Sequence, residues 1–327
     1  VLNEMLDIHP FDITQVPDGC VIVTTTLSPT DTIVLSKKKI AGLALTEGGL
    51  SSHVVILARN FGIPTVVGLN ETSIKKKIQN GEILIVDTEA GEILAEPDEQ
   101  TLNEFKLKKE NEQAEQKVLD EYLDKPARSK DGVEFKLYAN IGSTEEAELA
   151  VKCGADGIGL FRTEFLYMSM AECSHHVSAR AFNEEEQFEA YKKVLQVMNG
   201  KPVTIRTLDA GGDKFINSVD MPHFEEKNPL MGMRAVRLSL EYPQIFKTQL
   251  RALYRASVYG NLRIMLPLIT STEQVEQCLE IARTVREELK ADKIEFDENV
   301  PIGIMIETAA AAITSDCLAK VSDFFSL

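Results

Sequence analysis

Residues 157–164 read Gly-Ile-Gly-Leu-Phe-Arg-Thr-Glu, a short apolar run that stops at two charged side chains. The run is typical of a buried β-strand that ends at Phe161. Arg162 and Glu164 follow the predicted strand directly. A charged residue after a strand is usually a solvated loop residue, so this stretch predicts a strand first and a functional site only if the pattern recurs.

The pattern recurs along the rest of the chain. Strands are predicted at residues 135–139, 157–161, 203–207, 263–267, 302–306 and 323–327. Helical patterns separate them at residues 144–153, 184–198, 242–259, 272–289 and 309–321. Such alternation predicts a parallel sheet. Because no Gly-rich dinucleotide turn is present, we expect a (β/α)₈ barrel over residues 127–327, truncated after about six strands.

Charged residues cluster at the ends of these strands. Arg206 and Asp209 follow the third strand, Arg234 lies in the loop and helix start beyond it, and Glu307 closes the fifth. Barrel active sites form at the carboxyl ends of strands, where separate segments meet. The repetition therefore favours one shared site over a set of unrelated loop residues.

The first hundred residues follow a different pattern. Short β-rich runs at residues 21–25, 83–87 and 92–96 alternate with turn signals and predict a compact α/β domain over residues 1–97. Residues 98–124 are strongly charged and helical, with sparse apolar positions. We expect a solvated linker helix within residues 98–126, terminated by Pro126.

A histidine stands on the first turn of a predicted helix in this domain. Residues 48–59 read Gly-Gly-Leu-Ser-Ser-His-Val-Val-Ile-Leu-Ala-Arg and place His53 behind Ser51 and Ser52. A helix N-terminus binds anions, and an imidazole there can accept a phosphoryl group. A lone histidine beside an apolar run is more often a core or cap residue. The whole motif, together with Gly-Ile-Pro-Thr-Val-Val-Gly at residues 62–68, favours the interpretation that His53 accepts a phosphoryl group.

Composition excludes some functions. The net charge of −16 with a pI of about 4.9 argues against nucleic-acid binding. No apolar run approaches the roughly 20 residues that span a bilayer, so no membrane insertion is expected. Five scattered cysteines indicate a reducing cytoplasm. The chain starts without Met or a secretory signal, which indicates an excerpt from a longer cytoplasmic protein.

Four phrases stand in order behind the histidine motif, which itself resembles the swivel motif of phosphoenolpyruvate-utilising enzymes. They are Gly-Ile-Gly-Leu-Phe-Arg-Thr-Glu-Phe-Leu at 157–166, Arg-Thr-Leu-Asp-Ala-Gly-Gly-Asp-Lys at 206–214, Asn-Pro-Leu-Met-Gly-Met-Arg at 228–234 and Gly-Ile-Met-Ile-Glu-Thr at 303–308. Together they resemble the Enzyme I family of the bacterial phosphotransferase system, the phosphoenolpyruvate–protein phosphotransferases. The likeness implies a swivelling phosphohistidine domain followed by the barrel.

The resemblance also implies a reaction and its residues. The family uses Mg²⁺ to transfer the phosphoryl group of phosphoenolpyruvate to its own histidine, then to the carrier protein HPr, the first step of sugar uptake. It usually forms a homodimer through the barrel. The implied roles are these: His53 accepts the phosphoryl group, Arg162, Arg206 and Arg234 hold it, Glu307 is one Mg²⁺ ligand, and Ser51, Ser52 and Asp209 support the site.

The chain departs from the family in places. It stops at Leu327, before the loop that supplies the second Mg²⁺ carboxylate, a further substrate Arg and the Cys that protonates the enolate. We therefore expect these 327 residues alone to be of low activity. Residues 169–183 are unlike the family, and Ala309 stands where it usually has Pro. Two alternatives remain: a fragment of a pyruvate phosphate dikinase or phosphoenolpyruvate synthase, and a non-catalytic phosphoenolpyruvate-binding relic.

Overall fold

The computed structural model describes residues 13–27, 31, 34–35, 38–49, 54–55, 58, 62–70, 78–123, 125–164, 166–167, 183–209 and 232–327. The chain divides into two compact units, Val1–Tyr122 and Leu123–Leu327. Ser51, Ser52 and His53 lie outside the described residues, as does most of the unusual segment 169–183.

The first unit contains a small parallel sheet and a hairpin. The sheet has the order β1 (Val21–Thr24), β2 (Gly42–Leu45), β3 (Thr65–Val66), and the antiparallel hairpin joins β4 (Leu84–Asp87) to β5 (Glu92–Ala95). All four residues of β2 are buried, as the central strand of a parallel sheet requires. The α/β character predicted for this region is confirmed.

The helix predicted behind the histidine motif is visible at three positions. Val54, Val55 and Ala58 are helical and buried, and their spacing places them on one helix face. Val54 and Val55 pack in one cluster with Leu45 of β2. This apolar contact fixes the helical segment against the sheet of the first unit.

The charged helix α1 spans Glu99–Asp120. The Asp98 carboxylate caps it by accepting a hydrogen bond of 2.7 Å from the Thr101 N–H. Most of the helix is exposed, as its sparse apolar positions predict. The prediction that Pro126 terminates the helix is wrong. The helix ends at Asp120. The acidic side chains there repel the negative end of the helix dipole, and the exposed residues around it provide no buried face that would stabilise another turn.

The second unit begins with an antiparallel hairpin of β6 (Ala127–Arg128) and β7 (Glu134–Phe135). A six-stranded parallel sheet follows, made of β8 (Tyr138–Ile141), β9 (Gly157–Arg162), β10 (Pro202–Arg206), β11 (Asn261–Leu266), β12 (Ile302–Met305) and β13 (Phe325–Ser326). Each strand pairs with the next one along the chain. A doubly wound sheet would reverse its order midway, so this curled sheet is a half-barrel.

Helices connect the strands as the sequence predicts, with three corrections. The helices of the unit whose bounds lie within the described residues are α2 (Thr144–Lys152), α3 (Glu184–Met198), α4 (Ala235–Glu241), α5 (Pro243–Ala256), α6 (Thr272–Ala291), α7 (Ala309–Ile313) and α8 (Ser315–Leu318). The helical patterns did not predict α4. The strand predicted at 135–139 is divided between β7 and β8. The single helix predicted at 309–321 is interrupted at Thr314, whose hydroxyl donates to the Ala310 carbonyl.

An extra residue in β9 shifts its register. Ala139 and Asn140 are consecutive on β8, yet they pair with Ile158 and Leu160 of β9. Gly159 is therefore the inserted residue of a β-bulge on this side. A Cβ at Gly159 would lie 3.0 Å from the Tyr138 Cβ, so the absence of a side chain permits this close approach.

Candidate functional site

Two arginines end adjacent strands at the same level of the half-barrel. Arg162 is the last residue of β9 and Arg206 the last residue of β10, and the two are partners in the strand register. The Arg162 side chain is exposed and makes no hydrogen bond or ion pair with another described residue. The Arg206 side chain is only 11% exposed. The carboxyl edge of the sheet thus presents one free and one enclosed guanidinium side by side.

The guanidinium of Arg206 is held by two carboxylates. Its Nη2 lies 3.3 Å from Oε1 of Glu164, and its Nη1 lies 3.0 Å from Oδ2 of Asp209. Nη1 also lies 3.7 Å from the Met305 sulfur. The buried Nε has no hydrogen-bond partner among the residues that the structure describes. A buried donor without an acceptor is costly in a folded protein and is typical of a binding site.

Asp209 joins a second arginine to this cluster. Its Oδ1 accepts hydrogen bonds from Nε and Nη2 of Arg234 at 3.2 and 2.9 Å. The Asp209 N–H donates to Oε1 of Glu164 at 2.9 Å, which joins the segment after β10 to the segment after β9. Arg206 and Arg234 therefore share a cluster with two carboxylates whose formal charges balance theirs, and Arg162 at the neighbouring strand end adds a positive charge. Such an arrangement suits an anionic ligand.

Glu307 follows β12 at the same edge of the sheet. Its Oε1 accepts a hydrogen bond of 2.6 Å from the N–H of Leu268, which follows β11. The next residue, Thr308, caps α7 by accepting from the Ala311 N–H and donates to the Ile269 carbonyl. The carboxylate is exposed and anchored through a single oxygen. The Glu307 carboxylate is thus accessible to a ligand, while bonds from Glu307 and Thr308 to the loop after β11 fix its position.

Backbone strain accompanies two of these contacts. Ala235, directly after Arg234, has a φ of 51°, and Leu268 has a φ of 55°. Both residues are buried and carry a Cβ, which disfavours this left-handed region. The surrounding packing maintains the strained conformations, and strain of this kind is concentrated at functional sites.

A network of buried polar side chains lies behind the two arginine loops. Gln249 of α5 accepts a hydrogen bond of 3.0 Å from the Leu208 N–H and donates to the Thr163 hydroxyl at 3.4 Å. It also donates to the Tyr191 hydroxyl at 3.2 Å. Burial raises the pKa of Tyr191 far above its usual value and keeps this hydroxyl protonated. Sequence reasoning missed this network.

One sequence signal could have revealed Gln249. The residue lies on the apolar face of α5, between Phe246, Leu250 and Leu253, which are all buried. A buried amide on such a face must have hydrogen-bond partners, and the strand ends that the helix covers are where they are expected. The identity of the partners cannot be read from the helix pattern itself.

The structure brings together four of the predicted site residues and leaves others untested. Arg206, Asp209 and Arg234 are in direct contact, and Arg162 is the register neighbour of Arg206. Glu307 forms no hydrogen bond or ion pair with these residues but lies at the same sheet edge. His53, Ser51 and Ser52 fall outside the described part of the chain. Within the described ranges no group of three or more His, Cys, Asp or Glu side chains could hold a metal ion.

Family models match both parts of the chain. The model described as "PEP-utilising enzyme, mobile domain" matches residues 16–91, where PEP denotes phosphoenolpyruvate, and the one described as "PEP-utilising enzyme, PEP-binding domain" matches residues 116–327. In the described helices, no segment is both long and apolar enough to cross a membrane.

Several curated proteins are similar to the whole chain. A phosphoenolpyruvate-protein phosphotransferase of Bacillus sp. (strain S) is 39% identical over 327 residues, which are 100% of this chain and 54% of that protein. The proteins of the same name from Priestia megaterium and Staphylococcus aureus (strain MSSA476) are each 39% identical over 100% of this chain and 55% of their own length. The chain thus spans about half the length of the curated relatives it matches.

Among solved structures, an NMR solution structure of Enzyme I is 31% identical over 34% of this chain and 44% of that one, with a TM-score of 0.31. So low a score supports no structural comparison. The family-model match over residues 116–327 agrees with the half-barrel and its arginine cluster. The chain belongs to the family of phosphoenolpyruvate-utilising enzymes.

Proposed function

We propose that this chain belongs to a phosphoenolpyruvate–protein phosphotransferase, in which the arginine cluster holds the phosphoryl group and His53 accepts it. The main observation behind the proposal is that the guanidinium groups of Arg162 and Arg206, at two adjacent strand ends, keep donors available for a ligand. The carboxylates enclose Arg206, yet neither its buried Nε nor the exposed Arg162 side chain beside it has a partner among the described residues. The names of the similar phosphotransferases support this reading over a dikinase or synthase fragment.

The proposed reaction moves one phosphoryl group. An imidazole nitrogen of neutral His53 donates its lone pair to phosphorus, and the bond between phosphorus and the enol oxygen breaks. The enolate that leaves takes up a proton and becomes pyruvate. A histidine of the carrier protein HPr then removes the phosphoryl group from His53, which returns to its starting form.

The arginines contribute charge and position. Phosphoryl transfer depends on alignment and on neutralising the equatorial oxygens, and planar guanidiniums suit both tasks. Arg162 and Arg206 hold the phosphoryl group, with Arg234 assisting. Asp209 orients Arg206 and Arg234 before the substrate binds, so less reorganisation remains for the transition state.

Glu307 is the residue that fits Mg²⁺. Carboxylate oxygens are the ligands that this ion prefers, and in the described part of the chain only the Leu268 N–H is bonded to the Glu307 carboxylate, through one oxygen. Mg²⁺ keeps few protein ligands and completes its shell with substrate oxygens and water. When bound, it supplies further neutralisation of the negative charge on phosphoenolpyruvate. Glu307 would hold the ion.

The proposed organisation assigns residues 1–97 to a swivelling phosphohistidine domain, 98–126 to a linker and 127–327 to the phosphoenolpyruvate-binding barrel. Ser51 and Ser52 support the phosphorylated His53 as caps or donors to phosphate oxygens. The flanks of α1 act as hinges between the two domains. The whole protein is proposed to be a cytoplasmic homodimer.

Labelling with radioactive phosphoenolpyruvate and Mg²⁺ tests the proposal in the protein as it occurs naturally. We expect an acid-labile, base-stable label that His53→Ala abolishes. His9→Ala is the matched control and should keep the label. A protein that binds phosphoenolpyruvate but never becomes labelled would instead be a non-catalytic relic, and labelling by ATP would favour a dikinase or synthase.

A further inference from the structure

Gln249 is a buried polar residue that the proposed chemistry does not use. It lies on α5, and only 1% of its surface is exposed. Its amide forms three hydrogen bonds to groups on three other segments. Gln249 is therefore fixed in position by polar contacts as well as by the apolar packing of its helix.

Two of these bonds reach the loops that directly follow Arg162 and Arg206. Oε1 accepts from the N–H of Leu208, the residue between Thr207 and Asp209 in the turn after Arg206. Nε2 donates to Oγ1 of Thr163, the residue between Arg162 and Glu164. The Thr163 hydroxyl in turn donates to the Arg206 carbonyl at 3.1 Å. One amide thus holds both strand ends at once.

The directions of these bonds are mutually consistent. The Leu208 N–H can only donate, which orients Oε1 of Gln249 toward it and leaves Nε2 for the two hydroxyls. The Tyr191 hydroxyl accepts from Nε2 and donates to Oε1 of Gln187 at 3.2 Å. Tyr167 donates to the same Gln187 oxygen at 2.8 Å. The network therefore permits only one orientation of the Gln249 amide.

We propose that Gln249 is a positioning residue for phosphoenolpyruvate, which fixes the loops of Arg162 and Arg206 relative to each other by bonding to both. The inference rests on the proposed function. Gln249 itself touches no substrate, and its effect passes through the backbone of Leu208 and the hydroxyl of Thr163. A loss of these bonds should therefore weaken the binding of phosphoenolpyruvate more than it weakens the fold.

The test measures the Kd for phosphoenolpyruvate by calorimetry in the natural protein carrying His53→Ala, so that no transfer occurs. Gln249→Met keeps the chain length and removes all three bonds, and we expect it to raise Kd about tenfold. Gln249→Glu keeps an acceptor for the Leu208 N–H but loses the Nε2 donor to Thr163, and we expect it to raise Kd by less than Gln249→Met does.

Leu253→Ala is the structural control. Leu253 is buried one turn further along the same helix face, and its truncation should lower Tm at least as much as Gln249→Met does. We expect the control to leave Kd within about twofold of the parent protein. Equal effects of Gln249→Met and Leu253→Ala on Kd at equal loss of Tm would overturn the inference, as would an unchanged Kd in Gln249→Met.

A second variant carries the test if Gln249→Met does not fold. Thr163→Val is close in shape and removes the hydroxyl that links Gln249 to the Arg206 carbonyl. It should also raise Kd, and in a folded double variant the two effects should not add. An unchanged Kd in Thr163→Val contradicts the inference. A parent protein that binds no phosphoenolpyruvate refutes the proposed function itself, together with this inference.

Discussion

Asp209 and Arg206 form an ion pair across the turn that follows β10, with Oδ2 of the carboxylate 3.0 Å from Nη1 of the guanidinium. The other Asp209 oxygen is bonded to Arg234, so a single carboxylate orients two cations that differ in sequence position by 28 residues (234 − 206). Both members of the first pair are about nine-tenths enclosed. Their arrangement is therefore sensitive to loss of the carboxylate charge.

Asp209→Asn should destabilise the protein and weaken substrate binding. It leaves Arg206 with Glu164 as its remaining carboxylate and Arg234 with no carboxylate partner among the described residues, so the free energy of unfolding should fall by about 2–3 kcal/mol. Denaturant unfolding measures this change. The control is Glu280→Gln at the exposed pair with Arg283, where we expect a change below about 0.5 kcal/mol. Equal losses in both variants would contradict the prediction.

Arg206→Lys should keep the charge and lose the function. A lysine is a compact point charge and cannot bridge Glu164 and Asp209 while directing a further N–H elsewhere. We expect the rate of labelling by phosphoenolpyruvate to fall about 100-fold, as when a preorganised donor is removed from a transition state. Arg283→Lys, at an exposed pair, serves as the control. A labelling rate near that of the parent would argue against a direct role for Arg206.

Glu307→Gln should raise the Mg²⁺ concentration that labelling requires without disturbing the fold. The amide keeps an oxygen that can accept from the Leu268 N–H, but it removes the negative charge. A Mg²⁺ titration of the labelling rate should shift to about tenfold higher concentration, the loss expected for a weakened ligand. The exposed variant Glu276→Gln should leave the titration unchanged. The same shift of the Mg²⁺ titration in both variants would indicate an effect of the protein's net charge and would contradict a role for Glu307 as a ligand.

Gly303→Ala should destabilise the half-barrel. A Cβ there would lie 2.5 Å from ring carbons of Phe324 and 2.5 Å from its carbonyl oxygen. Overpacking of this kind typically costs about 1–3 kcal/mol in the free energy of unfolding. Since backbone is part of the clash, adding Phe324→Ala should not restore stability. If Phe324→Ala did restore the stability, the clash would involve only the Phe324 ring, and the prediction would be wrong.

The thiol of Cys278 should be inert in the native protein. Burial raises its pKa to about 12, while Cys153 and Cys317 are exposed. Mass spectrometry after alkylation at pH 8 should find Cys153 and Cys317 modified and Cys278 protected until urea is added. Because the pKa of Cys278 is higher in the folded protein than in the unfolded chain, its protonated thiol contributes fully to folding stability below about pH 9. This contribution is lost as the pH rises toward 12. Rapid native modification of Cys278 would refute this.

Local sequence patterns predicted the strands and the charged residues at their ends. The apolar run before Arg162 and the one that ends at Arg206 are short, continuous and bounded by polar residues, which is a local signal of a buried parallel strand. The sequential strand order also followed from the alternation of strands and helices. These features depend on neighbours in the chain, so they can be read without the fold.

Features that depend on distant partners could not be read in this way. The role of Gln249 depends on Thr163 and Leu208, which are 86 and 41 residues away. The interruption at Thr314 was missed because an Ala-rich run has high helix propensity, while the packing buries only Ala311 and Leu318 there. Tertiary contacts decided both cases.

The bulge in β9 has a consequence for how such a site can change. Ile158 pairs with Val203 and Phe161 with Ile205, so the extra residue lets two residues three positions apart share one buried face. Removing Gly159 would restore regular alternation and leave Arg162 opposite Arg206, whereas a second deletion in the same stretch would turn Arg162 to the opposite face. The site can therefore lose one residue of β9 and keep its arginines aligned, but it cannot lose two.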